Sequence, residues 1–276
     1  MTQLSMIIDK YNQRVDKVNS LVCVGLDSEL GKLPEKFKAM EFPQFEFNKW
    51  IIDQTAEFAA AFKPNIAFYE ARGDQGIKEL KMTMDYLREK YPDVFTVCDA
   101  KRGDIGNTNN GYVAAIFDWL GFDAVTLHPY FGSEALKPFL DRADKACIIL
   151  CRSSNPGAGE LQDLKTGGKP VWQIVAEKTA KEWNKNNNCM LMVGATYPKE
   201  MKTARSVIGD MTLLVPGIGA QGGDIEATVK AGLNSEKLGM IINSSRGIIF
   251  AQNPGEEAEK LKDAINKYRR ELIIDN

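Results

Sequence analysis

Short apolar stretches alternate with amphipathic segments along almost the whole chain. Strands that alternate with helices in this way form parallel sheets, and eight such units fill the space of a closed barrel. Barrels of this kind commonly take about 250 residues, and the chain has 276. No linker-like or low-complexity segment interrupts the units, so the pattern favours a (β/α)8 TIM barrel over an open, doubly wound sheet. We predict one barrel domain over residues 1–276, with a leading helix in 1–20 and the barrel in 21–275.

The apolar spacing assigns the elements. The predicted strands are 21–27, 61–65, 94–98, 124–127, 146–150, 190–193, 212–215 and 239–243. The predicted helices after them are 44–60, 74–90, 109–120, 133–142, 170–185, 198–207, 224–231 and 254–271. Residues 151–169 form a long loop in this assignment.

Composition narrows the class of partner. Hydrophobic residues make up 44% and charged residues 26% of the chain, which is ordinary for a globular protein. The net charge of −2 gives no general attraction to nucleic acid or acidic membranes. No apolar run approaches the roughly 20 residues of a membrane span, and the first residues lack the pattern of a signal peptide. We therefore predict a cytoplasmic protein with a small-molecule ligand.

Cysteine and histidine usage argues against a metal centre. The five cysteines form no C-x-x-C pair, and the chain has one histidine. Cysteines within apolar strands of a cytosolic protein are reduced core residues. The prediction is therefore five free thiols and no metal site.

Polar and charged residues recur where the predicted strands end. In a (β/α)8 barrel the carboxyl ends of all strands meet on one face, and active sites lie there. The residues at these positions are Asp27, Lys63, Asp99, Lys101, Asp104, Thr126, His128, Ser153, Ser154, Gln221 and Arg246.

The third predicted strand carries the most charge. It leads into Thr96-Val-Cys-Asp-Ala-Lys-Arg-Gly-Asp-Ile-Gly-Asn-Thr108. Because strand side chains alternate, Asp99 and Lys101 should project on the same side. Asp104 follows a glycine turn and either returns to the same place or reaches another subunit. A lysine between two carboxylates keeps its ammonium charge, and the ammonium makes their burial tolerable.

Two glycine-containing turns predict a phosphate site. Val215-Pro-Gly-Ile-Gly-Ala-Gln-Gly-Gly-Asp224 follows the seventh strand, and Ser244-Ser-Arg-Gly247 follows the eighth. The loops after strands seven and eight are the usual phosphate grip of such barrels, where backbone N–H groups attract the anion. The residues predicted to form this grip are Gly217, Gly219, Gln221, Ser245 and Arg246.

These segments together resemble the orotidine 5′-monophosphate decarboxylase family. Asp99 to Thr108 is similar to the family's D-x-K-x-x-D signature. The other similar segments, in the family's order, are Val24-Gly-Leu-Asp27, Phe62-Lys-Pro-Asn65, Ser154-Asn-Pro-Gly-Ala158, Pro216-Gly-Ile-Gly-Ala-Gln-Gly222 and Ser245-Arg-Gly247. The resemblance covers about residues 21 to 250. It implies conversion of orotidine 5′-monophosphate to uridine 5′-monophosphate and CO2, a homodimer, and no metal or organic cofactor.

The resemblance also implies roles for individual residues. Lys101 would donate a proton to C6 of the pyrimidine, beside Asp99 and Lys63. Asp104 would reach that site from the partner subunit, with Thr108 beside it at the ribose. The implied substrate contacts are Asp27 and Lys63 to the ribose, Ser154 to the pyrimidine, and Gln221 and Arg246 to the phosphate. Thr126 is a further residue expected to bind the substrate. His128 matches no role in chemistry, and we expect it to be structural.

Two alternatives remain open. Mg²⁺-dependent decarboxylases or synthases that act on keto-sugar phosphates share the D-x-K-x-x-D spacing, but they expect an acidic metal ligand on the second strand, where this chain has Lys63. A catalytically silent nucleotide-binding dimer would not need Asp99, Lys101 and Asp104, because buried charges without chemistry bring no advantage in stability.

Overall fold

The computed structural model describes residues 6–218 and 223–274. Its sheet is a closed barrel of eight parallel strands, in which each strand pairs with its neighbours in chain order and the last pairs with the first. The strands are β1 Val22–Val24, β2 Ala61–Phe62, β3 Phe95–Arg102, β4 Ala124–Leu127, β5 Ala146–Arg152, β6 Cys189–Val193, β7 Leu213–Pro216 and β8 Met240–Ser244. The predicted (β/α)8 fold is confirmed.

Helices surround the barrel and connect its strands. The α-helices are Met6–Val18, Glu35–Lys38, Pro43–Thr55, Ala67–Glu70, Gly73–Lys90, Asn107–Val113, Gly132–Leu140, Gly159–Gln162, Val171–Lys178, Pro198–Ile208, Ile225–Gly232, Arg246–Ile249 and Pro254–Ile274. Two of them continue as π-helical segments, Ala114–Trp119 and Thr179–Trp183. Short 3₁₀ turns lie at Leu30–Lys32 and Pro156–Ala158.

The leading helix covers the end of the barrel where the strands begin. Its Tyr11 is fully buried and donates a hydrogen bond of 2.5 Å to the carbonyl of Met240, the first residue of β8. The Tyr11 ring also meets the Phe95 ring at the start of β3, with centroids 5.3 Å apart. Arg14 is buried and pairs with Asp93 at 2.8 Å. The helix therefore closes the barrel face where the strands begin. It leaves open the face where the strands end.

The barrel interior and the inner faces of the helices form one apolar core. All five cysteines lie in it, buried and unpaired, as predicted. Burial raises the pKa of the Cys23 thiol to about 12, so this thiol is protonated at neutral pH. Among residues 6–218 and 223–274, no helix is both long enough and apolar enough to cross a membrane.

The segment predicted as a long loop has structure of its own. After β5 the chain makes the 3₁₀ turn, the short helix Gly159–Gln162 and a two-stranded antiparallel hairpin of Lys165–Thr166 with Lys169–Pro170. Gly167 and Gly168 form the turn of the hairpin, both with positive φ. The pattern of apolar residues gave no sign of this hairpin, because its strands are only two residues long and lie on the surface.

Candidate active site

A cavity of about 320 Å³ opens where the barrel strands end. Residues from all eight strands or from the turns directly after them line it. Those that the sequence analysis selected are Asp27, Lys63, Asp99, Lys101, Thr126, Ser153, Ser154, Gly217, Ser245 and Arg246. The remaining lining residues are Asn65, Leu150, Asn155, Met192, Leu214, Pro216, Ile218 and Asn243.

Lys63 is a buried cation between two carboxylates. Its Nζ lies 3.2 Å from Oδ2 of Asp99 and 4.0 Å from Oδ1 of Asp27, and its side chain is 4% exposed. Burial opposes the charged form of Lys63, but the nearby Asp99 and Asp27 carboxylates outweigh it, so the pKa of Lys63 lies above its ordinary value. The ammonium is therefore fixed and permanent at neutral pH.

Asp99 joins this buried lysine to a second, more accessible one. Its Oδ1 accepts a hydrogen bond of 2.6 Å from Nζ of Lys101. Burial alone would raise the pKa of Asp99, but the charges of Lys63 and Lys101 hold it below the ordinary range. Lys101 is about half exposed, at 48%, so its ammonium faces the open cavity. The order of charges is thus a buried lysine, a carboxylate and a lysine in contact with the cavity.

The contact between Asp99 and Lys101 does not arise from regular strand alternation. Cys98 pairs with Val125 of β4, and the next pair joins Arg102 to Leu127, so the register shifts between them. Lys101 has a φ of +48°, in the left-handed region that non-glycine residues rarely adopt. The two side chains meet as predicted, but because β3 bulges at this point.

The hydroxyl of Thr126 bonds to backbone that the bulge removes from regular strand pairing. It accepts a hydrogen bond of 3.0 Å from the backbone N–H of Lys101 and donates one of 2.9 Å to Oδ1 of Asp99. Thr126 is 1% exposed. The residue predicted to touch substrate is thus bonded to both charged residues beside it.

The turns after β7 and β8 bring Gly217, Ser245 and Arg246 to one side of the cavity. Arg246 is exposed and begins the short helix after β8. Ser245 fits because residue 25 has no side chain: a Cβ on Gly25 would lie 1.8 Å from the Ser245 hydroxyl oxygen. Gly219 and Gln221 lie outside the described residues. The turn at Gly217 has a φ of +102°, which favours glycine.

Ser154 lines the cavity after β5, and a glycine opposite makes room for it. A Cβ on Gly194 would lie 2.7 Å from Cβ of Ser154. The neighbouring Ser153 is tied to the short helix above it, since Gln162 Oε1 accepts from its backbone N–H at 2.9 Å and Gln162 Nε2 donates to its hydroxyl at 2.9 Å. These contacts hold the segment after β5 over the cavity.

Asp104 and Thr108 do not line the cavity of their own chain. Asp104 caps the turn that follows β3, where its Oδ1 accepts from the N–H of Ile105 at 2.7 Å. Gly103 and Gly106 both have positive φ and redirect the chain. His128 packs on Gly103, where a Cβ would lie 3.1 Å from its ring.

No group of three or more His, Cys, Asp and Glu side chains is placed to hold a metal ion within the described part of the chain. The two carboxylates that line the cavity, Asp27 and Asp99, have the Lys63 ammonium between them.

Comparison with known proteins gives the family. The model of the family described as "Orotidine 5'-phosphate decarboxylase / HUMPS family" matches residues 20–261. The chain belongs to this family. An orotidine 5′-phosphate decarboxylase of Janthinobacterium sp. (strain Marseille) is 46% identical over 268 residues, which are 95% of this chain and 98% of that protein. One of Cellvibrio japonicus is 43% identical over 269 residues, 97% of this chain and 98% of that protein.

Solved structures agree with the sequence comparison. The structure of Leishmania donovani OMP decarboxylase superposes with a TM-score of 0.87 at 38% identity, covering 97% of this chain and 100% of that one. The resemblance drawn from the sequence motifs of the orotidine 5′-phosphate decarboxylase / HUMPS family is therefore confirmed.

Sequence reasoning did not select three polar residues of this family member's cavity: Asn65, Asn155 and Asn243. Asn65 donates its backbone N–H to Asp27 at 3.3 Å, and its amide lies 3.5 Å from Oδ2 of Asp99. Asn243 is 7% exposed, and its Oδ1 has no partner among the described residues. Asn243 could have been found from the sequence, because it is the polar residue directly after the apolar run 240–242 of β8, where the last strand ends.

Proposed function

We propose that this chain is a cytoplasmic orotidine 5′-phosphate decarboxylase, which converts orotidine 5′-monophosphate to uridine 5′-monophosphate and CO2 in de novo pyrimidine biosynthesis. The observation that carries the proposal is the Lys101 ammonium, held 2.6 Å from Asp99 at the wall of the cavity. The names of the relatives that match almost the full chain support it.

The reaction needs a cation beside the reacting carbon. Breaking the bond from C6 to the carboxylate releases CO2 and leaves the electron pair in an in-plane orbital of C6, which the ring cannot delocalise. A fixed ammonium stabilises the developing charge and then transfers a proton to C6. In the proposed mechanism Lys101 is this group, and water returns a proton to its amine afterwards.

The neighbouring charges keep Lys101 in position for this step. Asp99 is ionised at neutral pH, because Lys63 and Lys101 hold its pKa below the ordinary range against the effect of burial. An ionised Asp99 accepts the hydrogen bond of 2.6 Å from the Lys101 ammonium and so fixes its direction. Lys63 in turn offsets the charge of Asp99 from the buried side.

The rest of the cavity matches the remaining parts of the nucleotide. We assign Asp27 and Lys63 to the ribose hydroxyls, and Ser154 to the pyrimidine. Arg246, Ser245 and Gly217 stand at the phosphate side, where a guanidinium and backbone N–H groups suit a dianion. Gly219 and Gln221 belong to the same proposed phosphate grip. This assignment places the pyrimidine next to Lys101.

We further propose that the enzyme is a homodimer in which Asp104 and Thr108 enter the cavity of the other subunit. Both follow Lys101 closely, yet neither lines the cavity of its own chain. Large apolar side chains lie exposed in the neighbouring turns, where Tyr130 is 82%, Ile105 59% and Phe131 53% exposed. A second copy of the chain would cover such side chains.

The Mg²⁺-dependent alternative is disfavoured by Lys63. At the end of β2, a position where that alternative needs an acidic ligand, the chain places an ammonium between Asp27 and Asp99. A divalent ion at the same place would meet a like charge.

The test is the loss of orotidylate absorbance when the purified protein is added in the presence of EDTA. The proposal expects full activity in EDTA and uridine 5′-monophosphate as the nucleotide product. No change in absorbance would contradict it, and activity that requires added Mg²⁺ would favour the alternative.

A further inference from the structure

The bulge in β3 places three residues of β3 opposite a single residue of β4. Between the Cys98–Val125 pair and the Arg102–Leu127 pair, β3 has three residues and β4 has only Thr126. Strand pairing cannot satisfy three residues with one, so their backbone groups need other partners. The N–H of Lys101 finds its partner in the Thr126 hydroxyl, at 3.0 Å.

The same hydroxyl also fixes the carboxylate. A threonine hydroxyl has one proton to donate, and Thr126 donates it to Oδ1 of Asp99 at 2.9 Å. That oxygen is the one that accepts from Nζ of Lys101 at 2.6 Å. The Thr126 side chain therefore bonds to both members of the Lys101–Asp99 ion pair. It holds the backbone of Lys101 and the carboxylate of Asp99, which orients the Lys101 ammonium.

We propose that Thr126 is a positioning residue for the decarboxylation, which fixes Lys101 and Asp99 through its hydroxyl and does not bind the substrate. The inference rests on the proposed function, since it assigns Lys101 as the proton donor. It replaces the substrate contact that the sequence resemblance implied for Thr126. With its proton directed at Asp99, the hydroxyl has none left to donate to a pyrimidine.

The surroundings of Thr126 show why its conformation is fixed. The residue is 1% exposed and lies in β4, where a β-branched side chain has few allowed rotamers. Lys101 has a φ of +48°, which is unfavourable for a residue with a Cβ and persists only where the surroundings enforce it. The hydrogen bond from its N–H to Thr126 is one of the contacts that hold this backbone.

The test is a comparison of Thr126→Val and Thr126→Ser. Valine keeps the shape but leaves the N–H of Lys101 without a partner and removes the donor to Asp99. We expect Thr126→Val to lower kcat by roughly 10- to 100-fold, because the lost hydrogen bond is to a charged group. KM and the affinity for uridine 5′-monophosphate should change by less than about threefold, since no substrate contact is lost. Thr126→Ser should restore kcat to within about threefold of the parent, because it restores the hydroxyl.

Thr55→Val is the matched control. Thr55 is also fully buried, and its hydroxyl donates 2.8 Å to the carbonyl of Ile51 in an outer helix. Its variant should lose stability without losing kcat. Thermal unfolding of all three variants separates misfolding from misplacement of Lys101.

Each other outcome overturns the inference. If Thr126→Val kept the parent kcat, the hydroxyl would not position Lys101. If it raised KM at constant kcat, Thr126 would be a substrate contact, and if Thr126→Ser were as impaired as valine, the hydroxyl would not be the group that matters. All of these results require an active parent enzyme, so a parent without orotidylate decarboxylase activity would refute the proposed function separately.

Discussion

Removing the buried ammonium by Lys63→Met should destabilise the fold at neutral pH, and the loss of stability should begin to shrink only below about pH 4. Methionine has a similar length and no charge, so the change isolates the electrostatic contribution. Lys63 Nζ lies 3.2 Å from Asp99 and 4.0 Å from Asp27, and the Lys63 and Asp99 side chains are only 4% and 13% exposed. Solvent therefore screens the nearer pair little.

The distances set the size of the effect. At an effective dielectric constant of about 20, the two attractions are roughly 5 and 4 kcal/mol. Desolvation of the ammonium offsets several kcal/mol of this gain. Asp99 also keeps Lys101 and Thr126 as partners. We expect the free energy of unfolding to fall by about 3 kcal/mol at pH 7, at the lower end of the range for breaking a buried pair.

The pH dependence follows from the lowered pKa of Asp99. A carboxyl group whose pKa is lowered in the folded state adds stability above its unfolded pKa of about 4, and this stability is lost as the pH falls through the folded value. Lys63 is the largest of the charges that lower the pKa of Asp99. Without Lys63 the pKa of Asp99 is lowered less, so the variant loses less stability on acidification than the parent. The difference in the free energy of unfolding between the parent and the variant should therefore begin to narrow below about pH 4.

Urea unfolding followed by tryptophan fluorescence at pH 7 and pH 3.5 measures both quantities. The matched control is Lys137→Met, which removes an ion pair with Asp141 whose side chains are 66% and 59% exposed. It should change the free energy of unfolding by less than about 1 kcal/mol. Equal stability of Lys63→Met and the parent at pH 7 would refute the argument, and so would a difference in the free energy of unfolding that grows between pH 7 and pH 3.5.

Three further predictions concern the proposed reaction. Lys101→Ala should abolish turnover by at least about 1,000-fold with nucleotide binding retained, whereas Arg246→Ala should mainly raise KM in steady-state assays; near-normal turnover of Lys101→Ala would contradict the mechanism. Orotidine, which lacks the phosphate, should show a far lower kcat than the nucleotide, because phosphate binding drives closure over the ring; equal kcat values would exclude that role. Mixing inactive Lys101→Ala and Asp104→Ala chains should restore activity, because a mixed dimer holds one intact site; no recovery after exchange of subunits would indicate separate sites.

The barrel could be predicted from the sequence because it depends on short-range patterns. Each strand is a buried, mostly apolar run, and each helix shows an apolar face with the usual spacing. The charged residues at the strand ends could be grouped for the same reason, since the fold alone brings strand ends together. Only the order of elements was needed to place Asp27, Lys63 and Asp99 at one cavity.

The arrangement within the cavity depends on contacts that the pattern does not contain. Regular alternation predicts that Lys101 projects beside Asp99, but it gives neither the bulge nor the left-handed backbone that bring the two together. The partner of that backbone, Thr126, is 25 residues away in sequence. The pattern also missed the contact between Gln162 and Ser153, since it lies in a segment with no apolar period.

The spacing of the D-x-K-x-x-D signature now has a physical reason. Its first aspartate and its lysine lie in one cavity because the bulge turns Lys101 back beside Asp99. Gly103 then passes so close to His128 that a Cβ would lie 2.7 Å from the His128 carbonyl oxygen, which leaves no room for a side chain. The chain turns away there, and the second aspartate, Asp104, lies outside the cavity that Asp99 and Lys101 line. One short segment thus lines one cavity with Asp99 and Lys101 and places Asp104 outside it, which is the geometry that the proposed dimer with shared sites would require.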